Sequence, residues 1–161
     1  MDLINLLEGD SRLRISVSIQ NKLGHRDVLP CIIDTGCSTT MIDIVFAKRF
    51  GERLADTHAI NMGNKKYMAQ AYRLYSILIG SIEIKDVFVL AVEYDINNEL
   101  RAGMLLGLNV LNNLEYCVNR NDNVIRIKEN IFANVPDKSY PYMHWFRGKG
   151  SEYVKFQGNL E

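Results

Sequence analysis

One acidic residue of the chain stands in a setting suited to chemistry. Asp34 ends an apolar run, and Thr35 and Gly36 follow it directly. A carboxylate at the end of a buried strand can give or take a proton, which is the task of a general acid or base. Gly36 lets the backbone turn sharply there, and the hydroxyls of Thr35 and Ser38 are suited to hydrogen bonds that orient the carboxylate. Taken alone, however, the triplet is more typical of an ordinary turn after a strand.

Strands must position this acid, because the dominant hydrophobic period of the chain is two. Residues 13–19 alternate apolar and polar side chains, and residues 28–33 follow a turn at 21–24, which predicts a hairpin of half-buried strands. Short helices are predicted at 44–50 and 108–114. Further extended segments are predicted at 39–42, 57–62, 67–79, 82–92, 104–106, 115–120 and 124–128. Eight or nine strands and two short helices predict a mainly β, closed, barrel-like domain.

The residues around Asp34 carry a family resemblance. Two apolar residues precede it and small hydroxyl-bearing residues follow Gly36, and in this setting the stretch resembles the catalytic loop of aspartic proteases. One Asp-Thr-Gly in a chain of 161 residues, rather than two in a chain twice as long, is similar to the retropepsin-like branch of that family. The resemblance implies that Asp34 is the catalytic acid or base and that Thr35 and Gly36 build its loop.

Two further segments extend the resemblance over residues 13–128. An apolar pair followed by glycine, at 105–107, is similar to the element that packs beside the catalytic loop in this family. The hairpin at 62–66 stands where the family carries its flap. Cys37 departs from the usual alanine or serine, and Asn109 stands where cellular relatives often carry aspartate. The residues that the resemblance places against substrate are Met62, Gly63, Asn64, Leu105, Leu106 and Gly107.

The resemblance implies general acid-base hydrolysis of peptide bonds. Two copies of Asp34 sharing one site cannot both ionise readily, so one retains a proton. The ionised carboxylate activates a water molecule while the protonated one polarises the scissile carbonyl. We therefore expect a homodimeric aspartic endopeptidase that cuts extended, largely apolar segments of peptide or protein substrates, with no metal and no cofactor. The alternative is a catalytically silent, protease-like module that binds peptides or serves as a structural dimerisation unit.

Composition and cysteine usage argue against several other classes of protein. Nineteen basic and nineteen acidic residues cancel, which argues against nucleic acid as a partner. No apolar stretch approaches the ~20 residues that span a bilayer, so no membrane partner is expected. Cys31, Cys37 and Cys117 are odd in number and lack zinc-ligand spacing. We therefore expect reduced, buried thiols in a cytoplasmic protein.

The chain divides into a domain and a tail. Residues 1–132 carry the strand pattern and form the expected retropepsin-like protease domain. In residues 133–161 the pattern is lost, and aromatic side chains become frequent between prolines and glycines. Such a segment is too apolar for a solvated linker, because burying each large ring could contribute ~2 kcal/mol. We expect the tail to pack on the domain or on the dimer partner. The alternative is a self-cleavage site, because Ser139-Tyr140-Pro141 resembles the aromatic-proline junctions that viral relatives cut.

Overall fold

The computed structural model describes residues 2–7, 12–62, 65–93 and 103–130, and of residues 56–62, 65 and 67 it describes the backbone alone. Within these ranges the chain forms ten strands and two short helices. The strands are β1 (Asp2–Asn5), β2 (Arg14–Gln20), β3 (Arg26–Ile33), β4 (Met41–Asp43), β5 (Gly51–Met62), β6 (Lys65–Ile79), β7 (Ile82–Val92), β8 (Met104–Leu106), β9 (Leu114–Asn119) and β10 (Val124–Glu129), and the helices are α1 (Ile44–Phe50) and α2 (Leu108–Leu111).

Six of the strands close into a barrel. Hydrogen-bonded neighbours run in the order β2, β3, β8, β4, β7 and β6, and β6 pairs back onto β2 through residues 76–78. β5 pairs with the outer part of β6, and β1, β10 and β9 form a separate three-stranded sheet. Closure removes the exposed edges of a sheet. The predicted mainly β, closed, barrel-like fold with short helices is confirmed.

Alternation of side chains sets the core, as the period of two predicts. In β2, Ile15, Val17 and Ile19 are buried, whereas Ser16 is exposed. The same hydrophobic cluster continues into the three-stranded sheet through residues such as Ile125. Both sheets therefore share one core, and the described residues form a single unit around it.

The first helix begins and ends for local reasons. The side chain of Asp43 accepts a hydrogen bond from the backbone N–H of Val45 at 3.0 Å, which caps the first turn. At the other end, a Cβ on Gly51 would lie 2.9 Å from the carbonyl oxygen of Ala47, so only glycine fits there. The helix predicted at 44–50 is confirmed.

The second helix is shorter than the predicted span of 108–114. It ends at Leu111, and the side-chain amide of Asn113 donates to the carbonyl oxygens of Asn109 and Val110. These bonds satisfy the last carbonyls of the helix, and the chain then enters β9 at Leu114, which is buried.

Other predictions met different outcomes. Cys31 is buried and Cys37 half-buried, but Cys117 is exposed; the prediction of buried thiols is wrong for Cys117, because it lies on the outward face of β9 opposite Arg126, which is also exposed. Among the described residues no helix is both long and apolar enough to cross a bilayer. The predicted tail at 133–161 lies outside the described residues.

Candidate active site

Asp34 lies at the end of two parallel strands. β3 and β8 pair in parallel, with Ile33 opposite Leu106. The backbone N–H of Asp34 then donates to the carbonyl oxygen of Leu106 at 3.0 Å. The chain leaves the sheet at this point, so the Asp34 side chain is only partly buried. The strand thus ends in a carboxylate, as the sequence predicts.

The carboxylate is oriented by the backbone of its own loop. The N–H of Gly36 donates to Oδ1 of Asp34 at 3.0 Å, and the N–H of Cys37 donates to the Asp34 carbonyl oxygen at 3.2 Å. Thr35 is exposed. Among the described residues, neither the Thr35 hydroxyl nor the Ser38 hydroxyl is hydrogen-bonded to the carboxylate. A backbone amide therefore takes the role that the sequence suggested for these two hydroxyls.

A buried network holds the loop to the second helix. Oδ1 of Asn109 accepts hydrogen bonds from the backbone N–H and the hydroxyl of Thr40, both at 2.8 Å. Nδ2 of Asn109 donates to the carbonyl oxygen of Phe88 at 2.8 Å. The Thr40 hydroxyl in turn accepts from the N–H of Gly107 at 3.0 Å. One amide thus ties the Asp34 loop, β7 and α2 together.

Gly107 brings the loop and the second helix into direct backbone contact. A Cβ at this position would lie 2.7 Å from the carbonyl oxygen of Cys37 and 2.8 Å from the backbone nitrogen of Thr40. Real Cβ atoms do not approach backbone atoms that closely. The N–H of Leu108 donates to the same Cys37 oxygen at 2.8 Å. The predicted packing of this glycine beside the loop is confirmed.

Cys37 sits within the loop as a neutral side chain. Its Sγ donates to the carbonyl oxygen of Thr39 at 2.8 Å. Burial, and secondarily the negative charge of Asp34, raise the pKa of the Cys37 thiol to about 11. A thiol in that state is a poor nucleophile. It fills the space of the small residue that is usual in the family.

Two adjacent residues of the apolar pair face opposite ways. Leu106 belongs to the hydrophobic core and is completely buried. Leu105 lies outside that core, in a cross-strand row on the other face of the sheet. Successive cross-strand partners in this row are Ile32, Leu105, Met41, Leu90 and Ala71.

The cross-strand row lies on the same side of the sheet as Asp34. Ile32 precedes Asp34 by two residues, and side chains two apart along a strand point to the same side. The members of the row are all apolar and are 0–8% exposed. Leu105, at 5% exposed, is therefore almost as buried as Leu106, at 0%, and the two residues differ in the face of the sheet they occupy rather than in accessible surface.

The remaining predicted contact residues belong to the hairpin of β5 and β6. For Met62, opposite Lys65, only the backbone is described, and Gly63 and Asn64 lie outside the described residues. Among the described residues, no group of three or more His, Cys, Asp or Glu side chains is placed to hold a metal ion.

Sequence reasoning missed the network of Thr40 and Asn109. Asn109 attracted notice only as a departure from the family, and Thr40 only as one of several hydroxyl residues after the acid. Their hydrogen bonds join residues 69 positions apart, and no periodicity encodes such a contact. The available signal was a polar residue opening a short apolar helix, where a buried amide must find partners.

Comparison with known proteins agrees with this architecture. No curated protein matches the chain. Among solved structures, a retropepsin-like aspartic protease from Rickettsia conorii has a TM-score of 0.52 at 18% identity, over 77% of this chain and 87% of the other. The retroviral protease-like domain of Ddi1 from Leishmania major has a TM-score of 0.50 at 13% identity, over 80% of this chain and 100% of the other. At such identities the likeness shows the fold.

The family is shown by a match of the sequence itself. The model of the family described as "gag-polyprotein putative aspartyl protease" matches residues 19–113, more than half of the chain. The matched segment contains the loop of Asp34, the hairpin of β5 and β6, Gly107 and Asn109. The protein belongs to the gag-polyprotein aspartyl protease family and has the retropepsin-like fold.

Proposed function

We propose that the protein is an aspartic endopeptidase whose active site is completed by a second copy of the chain. The observation that carries the proposal is the setting of Asp34: a carboxylate at the end of paired parallel strands, oriented by the amide of Gly36 at 3.0 Å. The loop that bears it is fixed to α2 by the buried network of Thr40 and Asn109. A rigid support of this kind suits a group that must meet a reacting atom in one geometry.

The chemistry requires two carboxylates, and the chain has one Asp-Thr-Gly. Two Asp34 side chains across a two-fold axis hold one proton between them, because two like charges so close together are unfavourable. The ionised member takes a proton from a water molecule as the water oxygen attacks the scissile carbonyl carbon. The protonated member gives its proton to the carbonyl oxygen. Collapse of the tetrahedral intermediate breaks the C–N bond, and the amine leaves with a proton from the dyad.

The preference for apolar substrates is proposed from the family resemblance. The cross-strand row of Ile32, Leu105, Met41 and Leu90 is apolar but only 3–8% exposed in the single chain. A peptide beside Asp34 would therefore meet only the edges of these side chains. We assign Leu106 and Gly107 a supporting role beneath the loop. Met62, Gly63 and Asn64 are proposed to cover the substrate from the hairpin side.

Incubation with a mixed peptide library at mildly acidic pH tests the activity. Wild type should cleave bonds flanked by apolar residues, a statine-type inhibitor should block cleavage, and specific activity should fall on dilution through the dimer dissociation constant. Asp34→Asn should fold and dimerise normally but lose hydrolysis, because the amide is nearly isosteric and cannot accept the proton. Turnover by Asp34→Asn within about tenfold of wild type, or full activity of an isolated monomer, contradicts the proposal.

A further inference from the structure

The long hairpin of β5 and β6 has an irregular base. Between the cross-strand pairs made by Arg53 and Thr57, three residues of β5, 54–56, lie opposite the single residue Ala71 of β6. Extra residues on one strand remove ladder hydrogen bonds and bend the strand. The backbone groups left unpaired at such a bulge need other partners.

The hairpin also leaves the barrel at this point. β6 pairs with β7 from Ile79 back to Gln70, which faces Ala91. Within the described structure, residues 65–69 of β6 pair with β5 alone. The hairpin arm, defined as residues 58–62 and 65–69, is therefore two-stranded, and two strands by themselves are only marginally stable in water. The direction of the arm must then depend on its base.

The side chain of Gln70 supplies hydrogen bonds at the bulge. Its Nε2 donates to the carbonyl oxygen of Leu54 at 2.5 Å and to that of Ala71 at 3.2 Å. Its Oε1 accepts from Nη2 of Arg53 at 3.1 Å. One half-buried amide thus joins both strands, with both of its N–H groups in use.

We propose that Gln70 is a positioning residue for substrate, because its amide fixes the angle at which the hairpin arm extends over the cleft. This inference rests on the proposed function, in which substrate lies beneath the arm. Without the amide, a larger fraction of molecules holds the arm away from the cleft. Apparent affinity falls in proportion to the fraction that remains competent to bind. The chemical step is spared, since Gly36 orients the carboxylate independently.

The variant Gln70→Glu tests directly whether the hydrogen bonds of the Gln70 amide hold the hairpin arm. Glutamate keeps an acceptor for Arg53, removes both N–H donors, and brings carboxylate oxygens against the carbonyl oxygens of Leu54 and Ala71. We expect KM for a cleaved peptide to rise ~fivefold, which corresponds to ~1 kcal/mol, with kcat within about twofold of wild type. Hydrogen exchange at the arm amides should accelerate by a similar factor, while β2 and β9 keep their wild-type rates.

Gln20 provides a matched control on another hairpin. Its Oε1 also accepts from an arginine across the strands, Nη2 of Arg26 at 2.9 Å, so Gln20→Glu should leave KM and arm exchange unchanged. The proposal is overturned if Gln70→Glu changes neither quantity. It is also overturned if exchange rises uniformly through the barrel at constant KM, which marks a general loss of stability. If wild type cleaves no peptide, the proposed function fails. The hydrogen-exchange rates of the arm amides then still decide whether the Gln70 amide stabilises the base of the hairpin.

Discussion

Two side-chain amides hold the two regions that would enclose a substrate, and they do so in different surroundings. Asn109, beneath the Asp34 loop, is 5% exposed, and within the described structure its side chain bonds only to buried groups of Thr40 and Phe88. Gln70, at the base of the hairpin arm, is half-buried, and one of its partners is the exposed Arg53. Water can replace the bonds of Gln70 but has no access to those of Asn109.

The difference fits what each region must do in the proposed enzyme. Hydrogen bonds in a low-dielectric interior are strong, and a buried group that loses its partner is costly. Asn109 therefore holds the loop of Asp34 in one arrangement. The hairpin arm must open for substrate to enter and close during the reaction. Hydrogen bonds at its base that water can replace would let the arm move between these two positions. Removing one amide at a time should expose this contrast.

The largest expected effect comes from Asn109→Ala. It removes the hydrogen bonds that the Asn109 amide makes with the hydroxyl and N–H of Thr40 and with the carbonyl of Phe88 in a buried site. We expect a loss of about 3 kcal/mol in the free energy of unfolding, measured by urea denaturation, and little remaining activity. Gln70→Ala should cost about 1 kcal/mol or less by the same measurement.

Asn112→Ala supplies the control for this comparison. Asn112 adjoins the same helix, and within the described residues its side chain makes no hydrogen bond. Its replacement should change stability by less than about 0.5 kcal/mol. Equal losses in Asn109→Ala and Gln70→Ala would remove the contrast between a fixed loop and a releasable hairpin.

A smaller effect is expected from Gly107→Ala, which separates packing of the loop from hydrogen bonding. The new Cβ meets backbone atoms of Cys37 and Thr40 at 2.7 and 2.8 Å, so the loop must shift. We expect a loss of about 2 kcal/mol on urea denaturation. In Gly36→Ala the Cβ meets only the Asp34 carboxylate, at 3.3 Å. That variant should lose activity with a stability change below about 1 kcal/mol, and a reversed ranking would contradict the assigned packing.

The strands that carry these groups were predictable where they bury one face. Alternation located β2 and β3, and the apolar run 82–92 coincides with β7. β1 was missed because a strand of four residues has too short a pattern, and its partner β10 lies at the far end of the domain. The first part of β5 was missed because Glu52, Arg53 and Ala55 are exposed. Its extended form comes from pairing with β6 rather than from its own pattern.

The candidate site was predictable only in part, for a similar reason. The residues Asp34 to Gly36 are contiguous, so their types alone indicate a candidate site in the sequence. The groups that support them do not, because Asn109 reaches Thr40 across 69 positions and Gln70 reaches Leu54 across 16. A polar residue within an apolar element signals that a partner exists. It does not say which residue the partner is.

A third side-chain contact, between Asp2 and Ser81, depends on a charged group, whereas the contacts of Asn109 and Gln70 are made by neutral amides. The carboxylate of Asp2 in β1 accepts hydrogen bonds from the hydroxyl and the backbone N–H of Ser81, both at 2.6 Å. Ser81 lies in the turn between β6 and β7, where Gly80 has a φ of +61°. A Cβ on Gly80 would collide with the Asp2 carboxylate. The tie fixes the amino-terminal strand to the barrel at an exposed place.

The smallest expected effect is therefore a pH-dependent one, at Asp2. The side-chain hydrogen bond from Ser81, and then its backbone hydrogen bond, lower the pKa of Asp2 below its ordinary value. A lowered pKa in the folded state means that the contribution to stability is complete above the unfolded pKa and is lost as pH falls through the folded one. Asp2→Asn should therefore have a slightly lower urea midpoint than wild type at pH 7, and the two midpoints should converge below the folded pKa. Ser81→Ala should reduce the difference in urea midpoint between Asp2→Asn and its parent at pH 7.

The neutral amides of Asn109 and Gln70 do not titrate, so the losses of stability in their alanine variants should stay constant over the same pH range. A deficit of Asp2→Asn that is equally large on both sides of that pH would show that shape, and not charge, holds the strand.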